Sequence, residues 1–140
     1  MREIKFRAWD IKNKKMVWPL RLFGHKAGLP CRLYTTEVKD KEGNVYTVKS
    51  QIILLQYTGL KDKNGKEIYE GDIVKIKKNK YEVGYWKGCF MFVLRGNNGN
   101  IQDAKNVNES IFLDCESNFI GEVIGNIYEN PELININEQR

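Results

Sequence analysis

Lysines and aromatic residues crowd the stretch between positions 75 and 86, and no other segment of the chain is so rich in side chains suited to holding a ligand. The basic members are Lys75, Lys77, Lys78 and Lys80, and the aromatic members are Tyr81, Tyr85 and Trp86. Positively charged grooves lined by aromatic rings are typical of proteins that bind single-stranded nucleic acid. We therefore predict that Lys75, Lys77, Lys80, Tyr85 and Trp86 are binding residues.

An alternative interpretation treats the same lysines as a solvated row. Glu70, Asp72 and Glu82 lie close by in sequence and weaken the positive potential. Lysines also protect the exposed edges of sheets against unwanted pairing. The net charge of +5 permits an acidic partner without requiring one.

A second candidate binding pair, Arg7 and Trp9, lies near the beginning of the chain. In a strand they point to the same side, opposite to Ile4, Phe6 and Ala8, which we expect to face the core. An arginine beside a tryptophan can stack on a base or hold an acidic partner. The alternative is that a second sheet or a neighbouring subunit covers Arg7 and Trp9, with Arg7 paired to a carboxylate such as Asp10.

Candidate catalytic groups are few. Glu70 and Asp72 flank Gly71 and offer two carboxylates, but the pattern favours a turn in which Asp72 accepts hydrogen bonds from local amides. His25 is the single histidine and has no nucleophile motif around it. We predict no catalytic residues and a protein that is not an enzyme.

The cysteines and the composition indicate the compartment. The three cysteines, Cys31, Cys89 and Cys115, are far apart and form no Cys-x-x-Cys pair, so we predict reduced thiols, no metal site and no cofactor. No apolar run approaches the roughly 20 residues that span a bilayer, and the charged first residues resemble no signal peptide. These features predict a cytoplasmic protein without a membrane partner.

Short apolar stretches separated by turn signals predict the fold class. Alternating segments such as Asp72–Lys77 and aromatic segments such as Cys89–Leu94 have strand length. No segment keeps a helical period beyond two turns. We predict an all-β protein, barrel-like or a sandwich of short antiparallel strands joined by hairpins with little helix; the alternative is an α+β fold with one or two short helices.

A boundary between two lobes, if there is one, would fall in the middle of the chain. Gln51–Tyr57 is a continuous apolar run, and Asn64–Gly65 is the strongest hairpin signal because both residues accept positive φ cheaply. A similar turn sequence occurs at Asp40–Gly43. We predict a single domain over residues 1–140, with an alternative of two β lobes divided near residues 50–60.

Three segments resemble a known family. Met1–Asp10 resembles the beginning of the YopX-like phage proteins, and Gln56–Leu60 through Asn64–Gly65 to Ile68–Val74 resembles their centre. Val123–Leu133 is similar to their end. The segments follow the family's order and cover nearly the whole chain, so we identify the protein as a YopX-like member.

The resemblance implies a mostly β protein of phage or prophage origin, located in the cytoplasm of a bacterial host, that self-associates. It implies no established activity and supplies no catalytic residue. We expect a phage or prophage accessory protein that acts by binding, as a homo-oligomer or with an unknown host or phage protein. The alternative is a nucleic-acid-binding module that uses the basic and aromatic β surface.

Overall fold

The computed structural model describes residues 3–22, 36–48, 52–86, 88–95, 100–107 and 119–134. His25, Cys31 and Cys115, on which expectations were stated, lie outside the described residues. Within the described ranges the strands are β1 (Phe6–Asp10), β2 (Lys15–Leu22), β3 (Thr36–Lys39), β4 (Val45–Val48), β5 (Ile52–Lys61), β6 (Glu67–Tyr69), β7 (Asp72–Ile76), β8 (Asn79–Trp86), β9 (Cys89–Arg95), β10 (Ile101–Asn106) and β11 (Glu122–Asn126). A short 3-10 helix follows at Pro131–Leu133.

The chain forms two compact units, and the first of them is Ile4–Gln56. Its strands lie in the order β4-β3-β2-β1 and then the first half of β5, and each pairs antiparallel with its neighbour. Small and β-branched side chains fill its core. These are Ala8, Val17, Val38, Val48 and Ile52.

The second unit consists of Met1–Glu3 and Tyr57–Arg140. It contains an antiparallel sheet in the order β10-β9-β8-β7-β11, and the second half of β5 pairs with β6. Its larger core is rich in aromatic rings, with Phe92 stacked on Phe119 at a centroid distance of 5.3 Å. All described strands pair antiparallel, and the described ranges contain a single short 3-10 helix. The prediction of an all-β fold is therefore confirmed.

Two hairpin turns share one geometry. The amide of Asp40 donates to the Asn44 carbonyl at 3.0 Å, and the amide of Gly43 donates to the Asp40 carbonyl. Asp62, Gly65 and Lys66 repeat this arrangement, with a distance of 2.7 Å between the Asp62 amide and the Lys66 carbonyl. In both turns the glycine alone has positive φ, +88° at Gly43 and +84° at Gly65. The expectation that Asn64 shares the positive φ is wrong, because the turn has three residues rather than two.

The aspartate that begins each turn also organises it. The Asp40 carboxylate accepts hydrogen bonds from the Glu42 and Asn44 amides, and the Asp62 carboxylate accepts them from the Asn64 and Lys66 amides. The side chain of Asp62 additionally accepts the amide of Val123 at 3.0 Å. Buried amides are thereby satisfied where no ladder partner is available.

Asp10 serves the turn between β1 and β2 in the same way. It is fully buried, and its carboxylate accepts the amides of Lys12 and Asn13, the Asn13 side chain and the Tyr46 hydroxyl at 2.9 Å. Lys15 joins this turn to the next, because its ammonium lies 3.2 Å from the Asp40 carboxylate and 4.6 Å from the centre of the Tyr46 ring.

The two faces of β1 are not covered as expected. Ile4 and Phe6 are exposed, at 72% and 37%, whereas Arg7 is only 6% exposed. The expectation that Ile4 and Phe6 face the core is wrong. Alternation assigns side chains to two faces, but it does not say which face the remaining chain covers or how far along the strand the cover extends.

The pKa values of two of these aspartates, Asp10 and Asp40, differ from the ordinary value for an aspartate. Burial alone would raise the pKa of Asp10, but the hydrogen bonds from the Asn13 side chain and amide, Tyr46 and the Lys12 amide together hold it below the ordinary value of 3.8. Burial would also raise the pKa of Asp40. The hydrogen bonds from Asn44 and the hydrogen bond and charge of Lys15 outweigh this effect, so the pKa of Asp40 is lowered as well. Both carboxylates are therefore stabilised as anions in the folded state.

We predict that the first unit loses stability in acid. Because the folded pKa values of Asp10 and Asp40 are depressed, their contribution is complete above about pH 5 and is lost as the pH falls below 3.8 towards the folded values. Urea titrations monitored by circular dichroism from pH 7 to pH 2.5 should show this fall in the free energy of unfolding. Asp10→Asn should flatten it, whereas Asp103→Asn in the second unit should leave it unchanged; an equal fall in the Asp10→Asn protein would contradict the assignment.

Candidate nucleic-acid interface

The hairpin of β7 and β8 positions the predicted lysines. On one face Val74, Ile76, Tyr81 and Val83 enter the aromatic core of the second unit. Since successive residues of a strand alternate, the intervening residues lie on the opposite face, which we call the outer face. The apolar period of the two strands therefore fixes the lysines of β7 and β8 on the outer face.

Lys75 and Lys80 lie directly opposite each other on the outer face. The register pairs Lys75 with Lys80 and Val74 with Tyr81. Both lysines are exposed, and in the described part of the chain no salt bridge involves either of them. Like charges directly opposite each other destabilise a sheet, so this pair costs stability in the unliganded protein.

Lys77 and Lys78 form the connection between the strands. Both are exposed, and Lys77 has a φ of +57°. A residue other than glycine costs about 1–2 kcal/mol in this left-handed region. Lys14 has a similar φ of +53° in the first unit, so the backbone strain by itself does not mark a functional position. Together Lys75, Lys77, Lys78 and Lys80 form what we call the basic face.

The carboxylates nearest to the basic face have other partners. Glu82 accepts a hydrogen bond from Nε of Arg95 at 3.0 Å. Glu122 is opposite Lys75 in the register of β11, but its carboxylate is 3.7 Å from the Lys63 ammonium and accepts the Asn64 side chain at 3.5 Å. The positive charge of the basic face is therefore only partly compensated.

A cleft of about 500 Å³ adjoins the basic face. Its cationic side chains are Lys78, Lys80 and Arg95, and its polar and apolar lining includes Asn79, Glu82, Val93, Leu94, Gln102, Leu133 and Ile134. The volume falls within the range of small-molecule sites. Apart from the lysines, no motif singled out these residues, because β8, β9, β10 and the 3-10 helix come together here only after folding.

The two predicted aromatic residues stand apart from the basic face. Tyr85 and Trp86 are 52% and 49% exposed at the far end of β8, about 20 Å from Lys80 at the usual rise per residue. Tyr85 points to the core face, where its ring meets Phe90 edge-on at 5.0 Å. Of the two, only Trp86 shares the outer face with Lys75 and Lys80. The residues predicted as one cluster therefore lie at opposite ends of β8, the lysines at its beginning and the aromatic residues at its end.

Arg7 and Trp9 belong to the other unit. Arg7 is 6% exposed and Trp9 is half-buried, so the interpretation that this face is covered fits their burial better than a stacking platform. Their role in binding stays a prediction, as does that of Tyr85 and Trp86, and the basic face carries the candidate interface.

The Glu70-Gly71-Asp72 segment is a turn, as the sequence favoured. Gly71 has a φ of +85°, and a Cβ placed there would lie 3.1 Å from the Tyr128 ring. The Asp72 carboxylate is 1% exposed and accepts the Tyr69 amide at 2.7 Å. Among the residues that the structure describes, no group of three or more histidine, cysteine, aspartate or glutamate side chains is arranged to hold a metal ion.

The architecture and this surface define an all-β hairpin protein with a basic outer face. The sequence model of the family described as YopX protein matches residues 5–135, so the chain belongs to the YopX family. The family assignment made from the three sequence segments is thereby confirmed. No match is found among curated proteins.

One similar solved structure is titled "Crystal structure of protein EF1440 from Enterococcus faecalis". It shares 28% sequence identity with this chain and has a TM-score of 0.58. The similarity covers 96% of this chain and 99% of that one. The likeness therefore extends over both units. Separately, no described helix is long and apolar enough to cross a membrane.

We predict that Lys80→Glu stabilises the protein. The new carboxylate would face Lys75 across the strand pair and replace a repulsive pair with an attractive one, which is worth about 0.5 kcal/mol in a sheet. Urea denaturation at low salt should show the gain, and 1 M salt should reduce it. Lys66→Glu, in an exposed turn, is the control. A loss of stability in Lys80→Glu at low salt would show that the two ammonium groups do not repel each other significantly.

Proposed function

We propose that this YopX-family protein acts by binding, without catalysis, and that its basic face binds nucleic acid. The observation that supports this most is the cross-strand pair Lys75 and Lys80, held opposite each other without a salt-bridge partner in the described residues. Phosphates placed between the two ammonium groups would turn the repulsion into attraction. Each phosphate that a lysine neutralises also releases condensed counterions, which favours association at low salt.

The proposed biological setting is that of a phage or prophage accessory protein in the cytoplasm of a bacterial host. Membership of the YopX family supports this setting, and the net charge of +5 is compatible with a polyanionic partner. The backbone of nucleic acid offers a regular row of negative charges, which suits lysines that lack a rigid bidentate geometry. Such contacts position a ligand without reading its sequence.

We predict that the double variant Lys75→Gln/Lys80→Gln binds short single- and double-stranded oligonucleotides at least about tenfold more weakly than the unchanged protein. Removing two phosphate contacts should also reduce the slope of log K against log salt by about 1.5. Fluorescence anisotropy with labelled 20-mers at several salt concentrations measures both quantities.

The matched control for this measurement is Lys61→Gln/Lys66→Gln, which removes the same charge from exposed positions near another turn of the same unit. It should change the affinity by less than threefold. Absence of binding at low salt, or equal losses in the two double variants, would refute a nucleic-acid role for the basic face.

Self-association is a second candidate function, supported by the exposed aromatic residues. Tyr85 and Trp86 expose about half of their surface at the β8–β9 end, and exposed aromatic surface often marks a protein–protein interface. Tyrosine and tryptophan are enriched at the centres of protein interfaces. A second copy of the chain would cover these rings.

We predict that the protein forms a defined oligomer at micromolar concentration and that Tyr85→Ser/Trp86→Ser weakens it. Light scattering coupled to gel filtration gives the mass. Ile101→Ser, which replaces another side chain that is 49% exposed in the same unit, is the control and should retain the oligomer. A protein that is monomeric at all concentrations would contradict self-association, but it would not contradict the nucleic-acid proposal.

A further inference from the structure

The cleft beside the basic face differs from an open groove in its chemistry. Its floor includes Val93, which is 7% exposed and opposite Glu82 in the register of β8 and β9. Leu133 and Ile134 contribute an apolar border. Leu133 lies near β11, because a Cβ at Gly125 would be 3.0 Å from its side chain. A ligand here would meet apolar surface as well as positive charge.

The charges of the cleft are arranged around one ion pair. Arg95 and Glu82 are joined at 3.0 Å, and the Glu82 side chain is only 16% exposed. The pair therefore holds the guanidinium in place while compensating one of the three positive charges. Lys78 and Lys80, which line the cleft and are exposed, supply the other two.

A β-bulge brings an amide side chain to the same cleft. Ile101 pairs with Arg95 and Asp103 with Leu94, which leaves Gln102 as the extra residue of β10. Bulges occur where a strand must redirect a side chain, often beside a binding site. Gln102 and Asn79 add neutral hydrogen-bond donors to the three cationic groups.

The geometry points to a binding site for a phosphomonoester that is joined to a largely apolar or planar group, as in a nucleoside monophosphate or at the phosphorylated end of a nucleic-acid strand. A phosphomonoester carries close to two negative charges at neutral pH, which balances the charge left after Glu82 compensates one cation. The apolar border receives the attached group. This inference rests on the proposed function, since the cleft and the basic face share Lys78 and Lys80.

Two probes distinguish the sources of the phosphomonoester. Adenosine 5′-monophosphate, measured by isothermal titration calorimetry, tests the free nucleotide. A labelled 10-mer with a 5′-phosphate, compared with the same 10-mer carrying a 5′-hydroxyl, tests the strand end by anisotropy. We expect saturable one-to-one binding of the nucleotide, and its competition with the 5′-phosphorylated strand if the strand end occupies the cleft.

Two variants test the location of the site. Lys78→Gln should weaken nucleotide binding roughly tenfold, since it removes a hydrogen bond to a charged group. Gln102→Trp should weaken it at least as much by filling the cleft without changing any charge, and its exposed position makes misfolding unexpected. Lys66→Gln, away from the cleft, should change the affinity by less than twofold.

The outcomes separate this inference from the proposed function. Nucleotide binding that is lost in Lys78→Gln and Gln102→Trp supports the site, even if longer oligonucleotides fail to bind and the proposed function falls. If the nucleotide does not bind and the 5′-phosphate gives no advantage, the site is refuted, while oligonucleotide binding that depends on Lys75 and Lys80 would still support the basic face. Nucleotide binding that is unchanged in Gln102→Trp also refutes the assigned cleft.

Discussion

Buried aspartates at the turns are the interaction on which the rest of the structure depends. Asp10, Asp40 and Asp62 are at most 6% exposed, and each accepts at least two hydrogen bonds from backbone amides of the turn that it begins. A chain of short strands gains little from any single ladder, so its register must be fixed at the turns. A slip of one residue would move every core side chain of a strand to the opposite face. The aspartates therefore stabilise the positions of side chains far from the carboxylates themselves.

The turn between β7 and β8 departs from this arrangement. No aspartate begins it, and Lys77 occupies the left-handed region that glycine occupies in the turns at Gly43 and Gly65. Its register comes instead from the other face, where Val74 and Tyr81 are buried in the aromatic core. The core thus holds Lys75 opposite Lys80 against their mutual repulsion. The charge is displayed on the outer face at the turn end of the hairpin, whereas Ile73, farther along the same face of β7, is buried.

The sequence was informative wherever a local signal decides the structure. Turn residues located the hairpins, the similarity of Asp40–Gly43 and Asp62–Gly65 corresponds to one shared geometry, and Asp72 accepts an amide as the turn pattern indicated. Features that depend on the order of the strands could not be predicted from the sequence. Alternation left open which face of β1 is covered: Arg7 is buried, as the alternative interpretation allowed, whereas Phe6 is exposed. The cleft combines Arg95, Gln102 and Leu133 from separated parts of the chain. The bulge that leaves Gln102 unpaired leaves no trace in the sequence pattern.

Acidic and basic side chains have different surroundings in the part of the chain that the structure describes. Asp10 and Asp40 have lowered pKa values because turn amides and polar side chains surround them, and a carboxylate held in that way remains ionised near neutral pH. Asp62 and Asp72 also accept backbone amides in buried positions. The lysines of the basic face, by contrast, are exposed and without salt bridges in the described residues, so that an anion can stabilise them without displacing a structural contact.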